Sequence, residues 1–162
     1  MDIHEYQAKE ILARAGVPVP RGGLAWSPEQ AAFRVRELGC GRCVVKAQIH
    51  SGGRGEAGGV KLVGSPGEAA AFAATLFGRN LATRQTGPGG KPVFRLWVEE
   101  ATDIAREIYL GFVLDRQSER VMIVASGHGG MEIEQLSQED PDSLIRQTVD
   151  RSSRTTPRPT PR

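Results

Sequence analysis

The sequence predicts an α/β domain in which helices pack on a mixed sheet. Two observations lead to this class. Three segments open with helix-capping residues and continue with apolar side chains at helical spacing, and five further runs are rich in β-branched and aromatic residues. Helices alternate with strands early in the chain, and strands dominate later. A chain of 162 residues favours a single core, which we place in residues 1–149.

The first predicted helix begins at Asp2, which would form a capping box with Glu5. Gly16 and Pro18 then end the helix. Its apolar positions fall on one face, at Ala8, Ile11, Leu12 and Ala15.

The second and third predicted helices share one start signal, a serine cap followed by proline. The second helix follows Ser27 and is closed by Gly39, and the third follows Ser65 and stops at Gly78. Strands are predicted at 43–49, 60–63, 92–99, 106–115 and 120–126. The sequence DRQSE between the last two strands predicts a hairpin turn.

The last residues differ from the rest of the chain. Residues 150–162 contain four arginines and three prolines and no aliphatic or aromatic side chain, which predicts a disordered tail. Without those arginines, 17 basic residues stand against 19 acidic ones, so the body of the chain has no charge that favours nucleic acid. No apolar run is long enough to span a membrane, and the N-terminus lacks a signal peptide, so the cytoplasm is the predicted location.

Cys40 and Cys43 form a C-x-x-C motif. A thioredoxin-type pair begins a helix, whereas this pair follows a helix and precedes a strand. A zinc site needs two further ligands, and the sequence offers no second pair at the required spacing. The motif therefore predicts two reduced thiols.

A glycine-rich segment, KAQIHSGGRGEAGG, follows the second predicted helix. Gly53, Gly55 and Gly58 satisfy G-x-G-x-x-G, but a strand follows where a dinucleotide-binding turn requires a helix, and no P-loop motif is present. Another interpretation is a strand–turn–strand unit whose turn folds over a polyphosphate. Lys46 and Arg54 would then supply the cations that bind the phosphates. A mobile glycine hairpin is the alternative.

Acidic and hydroxyl side chains cluster where the predicted strand 92–99 ends. They are Glu99, Glu100, Thr102, Asp103 and Glu107. Such groups can accept hydrogen bonds from a ribose or a base, and a solvated acidic loop is the alternative. No nucleophile with a positioned base is apparent, and the three histidines lack metal-ligand spacing.

Four segments closely resemble the N-terminal part of the β subunit of succinate–CoA ligase: HEYQAKEILARAGVPVP, VVKAQIHSGGRGEAGGVKLV, VEEATDIAREIYLGFVLDR and GGMEIE. The resemblance covers about residues 1–149. Malate–CoA ligase β subunits look similar over the same stretch. The resemblance implies part of an ATP-grasp domain and a tricarboxylic acid cycle ligase. That enzyme uses ATP, or GTP in some members, with Mg²⁺ to form succinyl-CoA, and an α subunit carries the phosphohistidine.

The resemblance also implies roles for seven residues. Lys46 and the turn of Gly53, Arg54 and Gly55 would contact the phosphates. Glu99 and Thr102 would lie near the base, and Glu107 near the ribose. It implies no catalytic residue and no metal ligand within this chain.

Two departures from the family pattern stand out. Glu56 replaces a lysine that usually follows the glycine turn, and the chain is less than half the usual length, without the Asn and Asp that bind Mg²⁺. We therefore expect a fragment that is inactive alone, with exposed apolar strand faces and a frameshift, premature stop or gene-model error near Asp150. A non-catalytic nucleotide-binding or docking module is the alternative.

Overall fold

The computed structural model describes residues 2–130 and 140–149, in two compact units, Met1–Asp103 and Ile104–Arg162. Each unit combines its own strands and core, and each is considered by itself. The predicted α/β class is confirmed. The predicted tail, 150–162, and most of the GGMEIE segment lie outside the described residues.

Three helices occur in the first unit: α1 is Glu5–Arg14, α2 is Pro28–Leu38 and α3 is Pro66–Leu76. The predicted serine caps are confirmed, because Ser27 Oγ accepts from Gln30 N at 3.2 Å and Ser65 Oγ accepts from Glu68 N at 3.2 Å. Gly39 closes α2 at φ 62°, in the left-handed region where glycine is favoured.

The start of α1 differs from the prediction. His4, and not Asp2, is the N-cap residue, and its backbone N–H donates to Gln7 Oε1 at 2.8 Å. Glu5 is thereby moved from a capping role to the first helical turn. No residue of α1 is fully buried, and Ile11 and Leu12 of its apolar face are 56% and 45% exposed.

Six strands belong to the first unit: Gly22–Ala25 (β1), Cys43–Ala47 (β2), Val60–Val63 (β3), Asn80–Leu81 (β4), Lys91–Pro92 (β5) and Leu96–Glu100 (β6). Four of them form a sheet in the order β1-β6-β2-β3, and β4 pairs with β5. Every pairing in the described residues is antiparallel, where the sequence predicted a mixed sheet. The sequence did not predict β1 or β4, and the strand predicted at 92–99 is divided between β5 and β6.

The main core lies on one face of the four-stranded sheet. Alternate residues of β2 and β6 point into it, with Val45 opposite Val98 in register. The helices α2 and α3 contact each other and cover this face through small apolar side chains. Fully buried core residues include Ala31, Cys43, Val45, Val63, Ala69, Ala73, Leu96 and Val98. The intervening residues of β2 and β6 therefore lie on the opposite face.

The second unit contains the strands Tyr109–Asp115 (β7), Arg120–Ser126 (β8) and Ile145–Thr148 (β9), and a 3₁₀ turn, Pro141–Ser143, precedes β9. They form a three-stranded antiparallel sheet in the order β7-β8-β9. The predicted hairpin turn between β7 and β8 is confirmed. A small core of Val124 and Leu144 lies against Tyr109 and Met122.

One face of this sheet is apolar and exposed. Leu110, Phe112 and Leu114 of β7 are 58%, 68% and 66% exposed, and Ile145 of β9 is 67% exposed. These residues alternate along their strands, so they share a face with their register partners on β8. The expected exposure of apolar strand faces is thus observed in the second unit.

Candidate functional site

A cluster of charged side chains lies on the face of the four-stranded sheet that α2 and α3 leave free. Strand β2 contributes Lys46 and β6 contributes Glu99. Helix α1 contributes Glu5 and Lys9 from consecutive turns, and the glycine-rich segment contributes Arg54. Five charges from four segments of the chain are thereby brought together.

The Glu5 carboxylate lies between the cations of this cluster. Its Oε1 is 3.1 Å from Lys46 Nζ and 3.1 Å from Lys9 Nζ, and its Oε2 is 2.5 Å from Arg54 Nη2. One carboxylate thus binds both of the cations that the sequence predicted at a phosphate site.

The second carboxylate, Glu99, is only 4% exposed. Its Oε1 is 2.6 Å from Lys46 Nζ, and its Oε2 contacts Lys9 and accepts from Trp97 Nε1 at 2.7 Å. Three cations therefore surround two carboxylates, which leaves the cluster with one unbalanced positive charge.

The glycine-rich segment folds into a single closed turn. Ala57 N donates to Gly53 O at 3.2 Å, Gly58 N to Gly55 O at 3.1 Å, and Gly59 N to Arg54 O at 2.7 Å. With Gly58 at φ 77°, the last two bonds form a Schellman motif, which usually ends a helix. The segment is therefore hydrogen-bonded within itself, and it connects the paired antiparallel strands β2 and β3.

This turn directs Arg54 back toward the sheet. Arg54 Nη1 donates to Ala47 O at 2.6 Å, while its other terminal nitrogen binds Glu5. The side chain is mostly buried, whereas Gly55 beside it is exposed. Gly53, at φ 67°, begins the turn in a conformation that favours glycine.

Burial and charge act in opposite directions on the pKa values of the cluster. Burial raises the pKa of Glu5, but Lys46, Arg54 and Lys9 outweigh it and bring that pKa down to about 2. Burial likewise raises the pKa of Glu99, but the bonds that Glu99 makes with Lys46 and Lys9 outweigh burial and lower this pKa. Burial lowers the pKa of Lys46, but both carboxylates outweigh this effect and raise it. Both carboxylates and Lys46 are therefore ionised at neutral pH.

An open cleft of about 520 Å³ borders the cluster. It is lined by Asp2, Ile3, Glu5, Ile49, His50, Ser51, Gly52, Arg54 and Gln85. His50 stacks on His4 with ring centroids 3.9 Å apart. Burial, followed by the charges of His50, Arg95 and Arg54, lowers the pKa of His4, which favours its neutral form.

The remaining predicted site residues are not part of the salt-bridged cluster. Thr102 is exposed in the segment after β6 and has no side-chain hydrogen bond within the described part of the chain. Glu107 belongs to the second unit, where its carbonyl accepts from Gly129 N at 3.2 Å. Glu56 is exposed and lines a different cleft, with Thr83 and Arg84, from the one that Glu5 lines.

Sequence reasoning missed three members of this site. Glu5 was interpreted as a capping residue, and Lys9 and Trp97 were not singled out. The i,i+4 spacing of Glu5 and Lys9 was visible, but the sequence did not show which face of α1 meets the sheet. Gln48, also missed, is buried and its Oε1 accepts from Tyr6 N at 3.2 Å, which fixes α1 to the end of β2.

The described residues contain no group of three or more His, Cys, Asp or Glu side chains that could hold a metal ion. Within the same residues, no helix has the length and apolar character needed to cross a membrane.

A family model for the ATP-grasp domain matches residues 2–160, nearly the whole chain. The chain belongs to the ATP-grasp family. This ATP-grasp chain is 62% identical over 150 residues to a probable malate–CoA ligase subunit beta from Mesorhizobium japonicum. It is 53% identical over 150 residues to an ADP-forming succinate–CoA ligase subunit beta from Geobacter sulfurreducens. The predicted resemblance to these β subunits is confirmed.

The chain spans only part of these relatives. Each alignment covers 93% of this chain, but only 38% and 39% of the respective relatives.

Among solved structures, the chain is similar to ATP citrate lyase from Methanothrix soehngenii, with a TM-score of 0.68 and 24% identity, over 94% of this chain and 35% of that one. A second similar structure is ACD1 from Candidatus Korarchaeum cryptofilum, with a TM-score of 0.62, 22% identity and coverage of 91% and 60%. These two structures support the ATP-grasp fold.

Proposed function

We propose that this chain forms the phosphate-binding part of the nucleotide site in the β subunit of an ATP-dependent acid–CoA ligase. The acid is succinate or malate, as in the names of the relatives with 53% and 62% identity. The complete reaction requires the segments that the chain does not share with those relatives, together with an α subunit. The chain alone is inactive as a ligase.

One observation carries this proposal: Lys46 and Arg54 bind the same carboxylate. Both cations lie within 3.1 Å of Glu5, so their geometry already suits a shared oxyanion. A phosphate group offers the same kind of oxygen acceptor with more negative charge. The unbalanced positive charge of the cluster favours such an anion electrostatically.

The glycine turn supports the same assignment. Gly53 and Gly55 lack a Cβ, and an ideal Cβ at Gly55 meets no atom within 4 Å, so the backbone beside Arg54 is open to an approaching phosphate. Glu99 at the end of β6, with Thr102 and Glu107 further along the chain, is assigned to the base and ribose by resemblance to the family.

Thermal shift of the full chain tests the proposal. Mg-ATP should raise the melting temperature, with Mg-GTP as the comparison, because a ligand that binds only the folded state stabilises it. Lys46→Met should abolish the shift. Lys61→Met is the matched control, because Lys61 lies on the neighbouring strand β3 and contacts Phe72 on the α3 side of the sheet. Loss of the shift in both variants, or in neither, contradicts a phosphate site at Lys46.

A non-catalytic docking module is the second candidate. The exposed apolar face at Leu110, Phe112 and Leu114 favours it, because such faces mark protein interfaces. Stabilisation by a purified ligase α subunit, without any response to either nucleotide, would support docking and exclude the nucleotide site.

A further inference from the structure

The two cysteines of the chain lie side by side in the first unit. Cys40 follows Gly39, which closes α2, and Cys43 is the first residue of β2. Their Sγ atoms are 2.8 Å apart, only about 0.8 Å longer than a covalent S–S bond of ~2.05 Å. The chain has no other cysteine, so neither thiol has an alternative partner within it.

The two thiols differ in their access to solvent. Cys43 is completely buried in the main core, whereas Cys40 is half-buried at its edge. Gly41 and Arg42, which connect the two cysteines, are exposed. A small oxidant can therefore reach Cys40 from solvent, whereas Cys43 is shielded by the main core.

Burial also affects the acidity of the Cys43 thiol. Burial is the main cause that raises the pKa of Cys43, to about 12, and the neighbouring Cys40 and Glu100 add to it. Because the thiolate is the reactive form, Cys43 is a poor first nucleophile. The first reaction therefore occurs at Cys40, in agreement with its greater exposure.

We propose that Cys40 and Cys43 form a reversible intramolecular disulfide, with a low-molecular-weight disulfide such as oxidised glutathione as the oxidant. The sequence favoured two reduced thiols because no helix begins at Cys40. The tertiary structure adds the contact between the two sulfur atoms, which the motif alone does not establish.

The exchange proceeds in two steps. The Cys40 thiolate attacks one sulfur of oxidised glutathione, forms a mixed disulfide and releases one glutathione thiolate. Cys43 then loses its proton and attacks the Cys40 sulfur, which forms the S–S bond and releases a second glutathione. Two thiols are oxidised, one disulfide is reduced, and the two protons end on two glutathione molecules. The adjacent position of Cys43 makes the second step effectively unimolecular.

Oxidation would join the end of α2 covalently to the start of β2. Lys46 lies on the same strand, three residues after Cys43. The disulfide would therefore lie at the start of a strand that carries one residue of the charged cluster. The cross-link removes freedom from the unfolded chain and should raise the melting temperature of the oxidised protein.

Titration of the folded full chain against glutathione redox buffers tests the proposal. Free thiols and intact mass would be followed together. The expected result is that both thiols disappear in parallel, the chain stays monomeric on a non-reducing gel, and its mass falls by two hydrogen atoms without a retained glutathione. Reduction with dithiothreitol should restore both thiols.

Two single variants assign the order of events. Cys43→Ala should retain one glutathione on Cys40, because no resolving thiol remains. Cys40→Ala should stay largely unmodified, since Cys43 is buried; circular dichroism verifies that both variants are folded. The experiment on the wild-type chain tests the proposal even if neither variant folds. Stable accumulation of a glutathione adduct or a disulfide-linked dimer overturns the proposal. The proposal is also overturned if both thiols of the folded chain remain free at a glutathione redox ratio that oxidises the urea-unfolded chain.

Discussion

Replacement of Glu5 by Gln should destabilise the first unit in a pH-dependent manner. Glu5 has a folded-state pKa of about 2 against its ordinary value of 4.5, because its cationic neighbours outweigh burial. A lowered pKa means that the folded state binds fewer protons than the unfolded state. The carboxylate therefore stabilises the fold above pH 4.5, and this stabilisation is lost as the pH falls toward 2.

The size of this effect follows from the two pKa values. A difference of about 2.5 pKa units corresponds to about 3 kcal/mol at pH 7. By the same linkage, the contribution falls to about 1.4 kcal/mol at pH 3. Glu5→Gln also removes one negative charge from a cluster that already holds an unbalanced positive charge, so the loss at pH 7 should approach the full amount.

Urea unfolding at pH 7 and pH 3 measures this loss. Trp97 is a suitable fluorescence probe because it is buried and bonded to the cluster through Glu99. Glu10→Gln is the matched control, since Glu10 is on the same helix but exposed. An equal loss at both pH values, or a Glu5→Gln variant as stable as the Glu10→Gln control at pH 7, would refute the electrostatic reasoning.

Three further predictions concern the turn, the core and the exposed sheet. Gly58→Ala should cost about 1–2 kcal/mol of unfolding free energy by chemical denaturation because Gly58 has φ 77°, whereas Gly55→Ala should be nearly neutral. Leu96→Ala should cost about 2–5 kcal/mol, since Leu96 is fully buried; a loss below about 1 kcal/mol would contradict the packing. Phe112→Ser should reduce binding of a hydrophobic dye and self-association on gel filtration, without a large loss of stability, because Phe112 is 68% exposed.

Much of the local structure could be predicted from the sequence. The serine caps of α2 and α3 are local signals, because the hydroxyl bonds to a backbone N–H three residues later. The strands β2 and β3 were predicted from runs of β-branched residues. In contrast, β1 is only four residues long and contains two glycines, so it forms because β6 provides a partner.

The charged site was only half predictable. The sequence singled out Lys46, Arg54 and Glu99, because charges beside a glycine-rich turn and at a strand end suit a nucleotide. It did not give the position of Glu5, since the capping pattern at Asp2 assigned that residue a local role. Only the packing of α1 on the sheet brings Glu5 within 3.1 Å of Lys46.

The sequence by itself therefore determined the helices, the main strands and the family, because these depend on periodicity, local caps and the order of motifs along the chain. The tertiary structure alone decided the antiparallel sheet, the inward direction of Arg54 and the contact between Cys40 and Cys43. The physical reason is that pairing, burial and charge contacts depend on which faces meet, and residues as far apart as Glu5 and Arg54 meet only after folding.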